Sequence, residues 1–277
     1  MALEKLFPPF DPGSPDEPEG QRSRRIPFRR IVPNLITILA ICAGMTGIRL
    51  AFEGRFELAI AMVLGAALLD GIDGRVARLL KGQSRFGAEM DSLADIVNFG
   101  LAPALVLYAY VLKEAGAFGW TAALLYVSGC ALRLARFNTM LDDPHRPKWH
   151  GAFFVGVPAP AGAALALLPM YVSLIGIDAG LPQVTAGFTA FYLVFVGLLM
   201  ASRIPTWSGK GAGIRVPRSY AIPIMLLVVL YVATLVSFFW ATLTVTALAY
   251  YLSIPFSWRE FERRTQRENR LTFPKAD

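Results

Sequence analysis

The stretch LLDGIDGRVARLLKGQSRFGAEMDSLAD, Leu68 to Asp95, holds four aspartates, four cations and four glycines, although the runs on either side are strongly apolar. Asp70 and Asp73 are three residues apart, and Asp91 and Asp95 are four apart. Either spacing puts two carboxylates on one face of a helix. Between the pairs, Lys81-Gly82-Gln83-Ser84 reads as a turn. A helical hairpin reversing there sets Asp73 level with Asp91 and Asp70 level with Asp95. At ~1.5 Å rise per residue, that level lies roughly 13–18 Å from the turn. The stretch is thus predicted to aim four acids at one spot where two apolar helices end.

The flanking runs belong to a larger pattern. Of 277 residues, 55% are hydrophobic and only 17% charged, and the mean hydropathy is +0.49. A soluble domain carries nearer a quarter charged residues. Eight apolar runs recur, at about 33–52, 57–80, 92–112, 120–137, 152–176, 184–201, 219–239 and 241–256. Most are near the ~20 residues that cross a hydrocarbon core as helix. The fold expected is an all-α polytopic transmembrane bundle of about eight spans. Residues 1–30 are expected as a disordered and basic juxtamembrane arm, 31–256 as the transmembrane catalytic domain, and 257–277 as a basic tail.

Cation placement supports an even span count. Numbering the gaps from a cytoplasmic N-terminus puts 24 of the 27 lysines and arginines on one side. Only Arg49, Arg55 and Lys113 fall on the other. The positive-inside bias therefore predicts both termini to be cytoplasmic. It also accounts for a pI near 9.6 and for attraction to anionic membrane lipids. Nucleic-acid binding is the poorer reading, because the cations are spread over several gaps and both tails. The opening MALEKLFPPFDPGSPDEPEG lacks the basic start and apolar core of a signal peptide, so no cleavage is expected. Cys42 and Cys130 sit singly inside apolar runs and read as core thiols.

Four carboxylates cannot converge unpaired, since like charges in a poorly hydrated site repel. One resolution is salt bridging to Arg75, Arg78 and Arg85, giving a charged hairpin without chemistry. The other is one or two hard divalent cations held by oxygen ligands and shared with a phosphate substrate. Acids at membrane depth are costly and mark function by default. No His or Cys stands beside them, so Mg²⁺ or Mn²⁺ suits the site better than zinc or copper. Gly71, Gly74 and Gly87 fall in the hairpin helices, each costing about 1 kcal/mol of helix stability. That cost is tolerable where a nucleotide or another helix approaches the backbone.

The arrangement Asp70-x2-Asp73-Gly74-x2-Ala77-Arg78-x8-Gly87-x3-Asp91-x3-Asp95 resembles, position by position, the signature of the CDP-alcohol phosphotransferases. These are integral membrane enzymes that displace CMP from a CDP-linked lipid or alcohol. DSLADIVNFGLAPALVLY (Asp91–Tyr108), LRLARFN (Leu132–Asn138) and FFVGVPAPAGAA (Phe153–Ala164) resemble the phosphatidylserine synthase branch of that family. PNLITILAICAG (Pro33–Gly44) is similar to its opening span, P-N-x-x-T-x-x-N, except that Ala40 stands where the family often has Asn.

The resemblance implies transfer of a phosphatidyl group from CDP-diacylglycerol to L-serine with release of CMP. It implies Asp70, Asp73 and Asp91 as metal ligands, with Asp95 as general base or as ligand and base. Asp70, Gly74, Ala77, Arg78 and Gly87 would meet the nucleotide or its phosphates. It also implies a homodimer in a bacterial inner membrane, with the active site facing the cytoplasm. For serine's carboxylate a guanidinium fork is apt. Arg133 and Arg136 are the candidates, with Asn98 and Asn138 as polar neighbours; both arginines have the alternative of snorkelling to lipid phosphate. Three rival functions remain. A sister phosphotransferase acting on choline, inositol phosphate or glycerol phosphate shares the catalytic signature. A membrane polyprenyl transferase also uses aspartate-rich helices, but normally on helices far apart in sequence. A cation transporter has no need of the glycines and the Ala-Arg pair.

Overall fold

A computed structural model describes residues 28–82, 84–141, 153–177, 180, 182–208 and 218–272. The chain is helical almost throughout. In order come α1 (Phe28–Phe52), α2 (Phe56–Leu79), α3 (Arg85–Asp95), a π-helical turn (Ile96–Leu101) and α4 (Ala102–Tyr110). A 3₁₀ turn (Leu112–Ala115), α5 (Gly116–Leu141), β1 (Phe153–Val155), α6 (Ala159–Ala166) and α7 (Leu168–Leu174) follow. The chain continues through α8 (Pro182–Ala201), β2 (Pro205–Trp207), α9 (Arg218–Ser237) and α10 (Phe239–Thr272).

Six helical segments are long and apolar enough to cross a membrane: Ile31–Phe52, Phe86–Tyr110, Leu112–Met140, Pro182–Ala201, Tyr220–Ser237 and Phe239–Arg267. This is the all-α polytopic membrane architecture expected. The other two apolar runs take different forms. Helix α2 spans 24 residues, but Glu57, Asp70, Asp73, Arg75 and Arg78 give it too many charges to qualify on composition. The run 152–176 is not one helix. Its described part opens with β1, whose Phe153 pairs antiparallel with Trp207 of β2. Pro158 and Pro160 then start α6, where a missing N–H costs nothing, instead of bending a span. The interruption falls at Leu167, just before Pro169 in the first turn of α7.

Two compact units divide the chain between Ala102 and Pro103. In the first, α1 and α2 pack along their lengths, buried through Ala40, Ala43, Ala59, Ile60, Val63 and Ala66. Small residues let the backbones close: a Cβ on Gly47 would stand 3.0 Å from the Ala59 carbonyl oxygen. Gly54, at φ 77°, makes the reversal between the two helices. Helix α1 also packs on α3 and on the π turn, and α2 meets the π turn as well.

In the second unit, α5 crosses α8 where Gly129 meets Gly197; a Cβ on Gly197 would lie 2.9 Å from Tyr126 Cα. Helix α10 packs on α7 and β2 and runs unbroken past residue 257 to Thr272. Helix α9 buries none of its spanning residues. Leu226, Leu227, Val229 and Leu230 are each more than 60% exposed, an all-round apolar surface that suits lipid contact.

Candidate active site

The turn predicted at Lys81–Ser84 is where the chain reverses. Helix α2 closes at Leu79, Lys81 takes a left-handed φ of 50°, and Ser84 caps α3 by accepting the Gly87 amide at 3.0 Å. Gln83 lies outside the described residues. The reversal returns the second pair of acids to the first. One carboxylate oxygen from each of Asp70, Asp73 and Asp91 lies within 4.8 Å of the others. Asp73 is buried, and the other two are partly accessible. Asp95, the last residue of α3, reaches hydrogen-bonding distance of Asp70.

Among the described residues, the ion pairs Arg49–Glu53 and Arg264–Glu260 lie elsewhere and do not involve Asp70, Asp73 or Asp91. Arg75 and Arg78 are exposed; the side chain of Arg85 lies outside the described residues. Asp70 Oδ1 is buried with no hydrogen-bond partner. Three acids this close, one with an orphaned oxygen and all from the hardest oxygen-donor class, fit a divalent cation such as Mg²⁺ or Mn²⁺.

Thr37 is a member of the site that spacing within the hairpin does not reveal. Its hydroxyl donates to Asp73 Oδ2 at 2.7 Å, with the Pro33 carbonyl at 3.1 Å as a second acceptor. The one sequence signal for it is the stretch Pro33–Thr37, through its likeness to the family's opening span. Asn34 belongs with it: a Cβ on Gly87 would stand 3.0 Å from Asn34 Oδ1 and 3.2 Å from Ser84 Oγ. Gly87 is thus closely packed at the hairpin turn. Gly71 and Gly74 differ, because a Cβ on either meets nothing within 4 Å. The backbone there lies open among the described residues. Ala77 is half-buried one turn further on.

The remaining predicted residues divide between the units. Asn98 lies in the π turn of the first unit, fully buried against Gly44 of α1. Arg133, Arg136 and Asn138 stand on α5 of the second unit. Arg133 is buried, with its guanidinium 5.5 Å from the Phe137 ring centre. Arg136 Nη1 donates to the carbonyls of Ala201, at 2.7 Å, and Ser202, at 3.1 Å. These oxygens close the C-terminal end of α8, where a cation is favoured.

An acid hairpin of this construction defines a class. Residues 30–197 match the family profile described as CDP-alcohol phosphatidyltransferase, and residues 219–255 match the profile CDP-alcohol phosphatidyltransferase 2. The chain belongs to the CDP-alcohol phosphatidyltransferase family. Among curated relatives, it is 44% identical over 242 residues to the CDP-diacylglycerol–serine O-phosphatidyltransferase of Mycobacterium leprae, covering 85% of this chain and 77% of that one. It is 41% identical to the enzyme of that name from Mycobacterium tuberculosis, covering 88% and 82%. An archaetidylserine synthase from Methanothermobacter thermautotrophicus is 32% identical, covering 65% and 72%.

Proposed function

We propose that this protein transfers a phosphatidyl group from CDP-diacylglycerol to L-serine, forming phosphatidylserine and releasing CMP. The observation that carries this reading is the meeting of Asp70, Asp73 and Asp91 within 4.8 Å, without a pairing cation among the described residues. The names of its relatives supply the acceptor. In the reaction the serine hydroxyl oxygen attacks the phosphorus bearing diacylglycerol. The bond from that phosphorus to the CMP oxygen breaks, and CMP departs with the bonding pair.

A bound Mg²⁺ or Mn²⁺ supplies charge neutralisation to the phosphoryl oxygens and the leaving phosphate. Asp70, Asp73 and Asp91 would hold it, with Thr37 orienting Asp73. Asp95, on the same helical face as Asp91, takes the serine proton as transfer to phosphorus proceeds; placement matters more than basicity for that step. The open backbone at Gly74 admits the nucleotide, with Ala77, Gly87 and Arg78 around it. Arg133 and Arg136 are the candidates for serine's carboxylate, and Arg136 also donates to the α8 carbonyls. Both termini lie in the cytoplasm and the acids work at that face, as the cation bias predicts. Flanking segments 1–30 and 257–277 serve anionic lipid contact, and the family resemblance supports a homodimer.

The test is direct. Purified protein is incubated with CDP-diacylglycerol, Mg²⁺ or Mn²⁺ and one alcohol at a time, and CMP is measured. Serine is expected to give CMP and phosphatidylserine, and EDTA to stop both. Release with glycerol phosphate, inositol phosphate or choline but not serine would overturn the acceptor. Full activity in chelator would overturn the metal.

A further inference from the structure

Asn98, expected from the sequence as a polar neighbour of the serine site, is a costly residue. Its side chain is 0% exposed, yet among the described residues neither Nδ2 nor Oδ1 has a hydrogen-bond partner. It sits in a π-helical turn, a rare form frequently found at functional sites. The side chain rests on the α1 backbone at Gly44, where any Cβ would collide with Asn98 Oδ1. An unsatisfied buried amide destabilises a fold, so its presence points to shape or position as the benefit.

Two spacings give it a position. Asp91, Asp95 and Asn98 follow one another at intervals of four and three residues, so they share one side of α3 and the π turn. Thr37 and Gly44 are seven residues apart, so they share one face of α1, separated by roughly 10 Å at ~1.5 Å per residue. At one end of that face Thr37 holds Asp73 of α2 at 2.7 Å. At the other, Gly44 receives Asn98 from the helix that carries Asp91. Each acid-bearing helix packs on α1, and α2 also meets the π turn.

We infer that α1 acts as a ruler for the acid cluster: Thr37 fixes α2, and the Gly44 notch stops Asn98 so that Asp91 arrives level with Asp70 and Asp73. Asn98 is then a positioning residue, and the contact is one of shape. This rests on the acids being a divalent-cation site, and the experiment separates the two ideas. The full chain is reconstituted in lipid nanodiscs, Mn²⁺ is added, and free Mn²⁺ is followed by electron paramagnetic resonance, without substrate or turnover.

Gly44→Ala pushes Asn98 off its stop and is expected to weaken Mn²⁺ binding at least tenfold, in the range typical of outer-shell support. Asn98→Gln, which lengthens the side chain and leaves Gly44 alone, is expected to do the same and covers the case of a Gly44→Ala variant that fails to fold. Combining Gly44→Ala with Asn98→Ala removes the collision and is expected to return affinity to within about threefold of wild type. Asn98→Leu keeps the branched shape without the stranded polar atoms. It is expected to retain Mn²⁺ affinity and to melt at a higher temperature. Folded Asn98→Leu protein that loses Mn²⁺ would show that the amide chemistry matters and would overturn the inference. Wild-type affinity in both Gly44→Ala and Asn98→Gln would also overturn it. Absence of Mn²⁺ binding by the wild-type protein would instead overturn the metal-site reading beneath it.

Discussion

Replacing Thr37 with valine keeps the side chain's size and removes the hydroxyl that donates to Asp73 Oδ2 at 2.7 Å, with the Pro33 carbonyl its other acceptor. The bond to Asp73 runs between a hydroxyl and a buried carboxylate, a class whose net worth is about 1.5–3 kcal/mol. Two consequences follow with different signatures. In metal-free protein, the loss leaves a buried acceptor stranded among like charges, so thermal stability falls. In the metal-binding equilibrium, the lost bond no longer holds the Asp73 oxygens in place, and loss of such outer-shell support typically costs 10–100-fold in affinity. CMP release is measured against Mg²⁺ concentration for wild type, Thr37→Val and Thr37→Ser. The half-saturating Mg²⁺ should rise at least tenfold in Thr37→Val and stay near wild type in Thr37→Ser, which keeps the hydroxyl. The rate at saturating Mg²⁺ should recover most of the wild-type value, because no reacting atom has been removed. A Thr37→Val enzyme with an unchanged Mg²⁺ curve would refute the reasoning.

The other expectations concern separate links of the mechanism. Asp95→Asn should lose about 10²–10⁴-fold in turnover while keeping Mn²⁺ and CDP-diacylglycerol binding, the usual cost of removing a general base; lost metal affinity with turnover restored at high metal would make Asp95 a ligand only. Arg133→Lys should raise the KM for serine far more than that for CDP-diacylglycerol, since the charge survives and the fork is lost; equal changes would favour lipid snorkelling. Arg136→Lys should lower thermal stability, because Arg136 bonds the carbonyls of both Ala201 and Ser202. Reporter fusions at residues 20 and 270 should both read cytoplasmic and one near Gly116 external; a tail opposite the arm would contradict the cation argument.

The features legible in the amino-acid order are local in origin. Hydropathy selects membrane helices because each apolar run must satisfy its own backbone within itself. The intervals from Asp70 to Asp73 and from Asp91 to Asp95 fix shared helix faces by geometry within a turn or two. The reversal at Lys81–Ser84 follows from breaker and capping residues in immediate succession, so the meeting of the acids can be read from the residues alone. Contacts between distant segments cannot. Thr37 meets Asp73 across 36 positions, and nothing in the composition of α1 marks which of its faces will turn toward an acid. Asn98 reads as a polar neighbour of the acceptor site, but helix packing closes it against Gly44. The hairpin's symmetry suggests that its two helices bring the acids together, but it does not reveal that α1 packs on both. The apolar run 152–176 reads as continuous, since hydropathy does not register the pairing of Phe153 with Trp207 or a helix restarting at Pro169. Such outcomes depend on which backbones can approach closely, and that is decided only when side chains from remote parts of the chain compete for the same space.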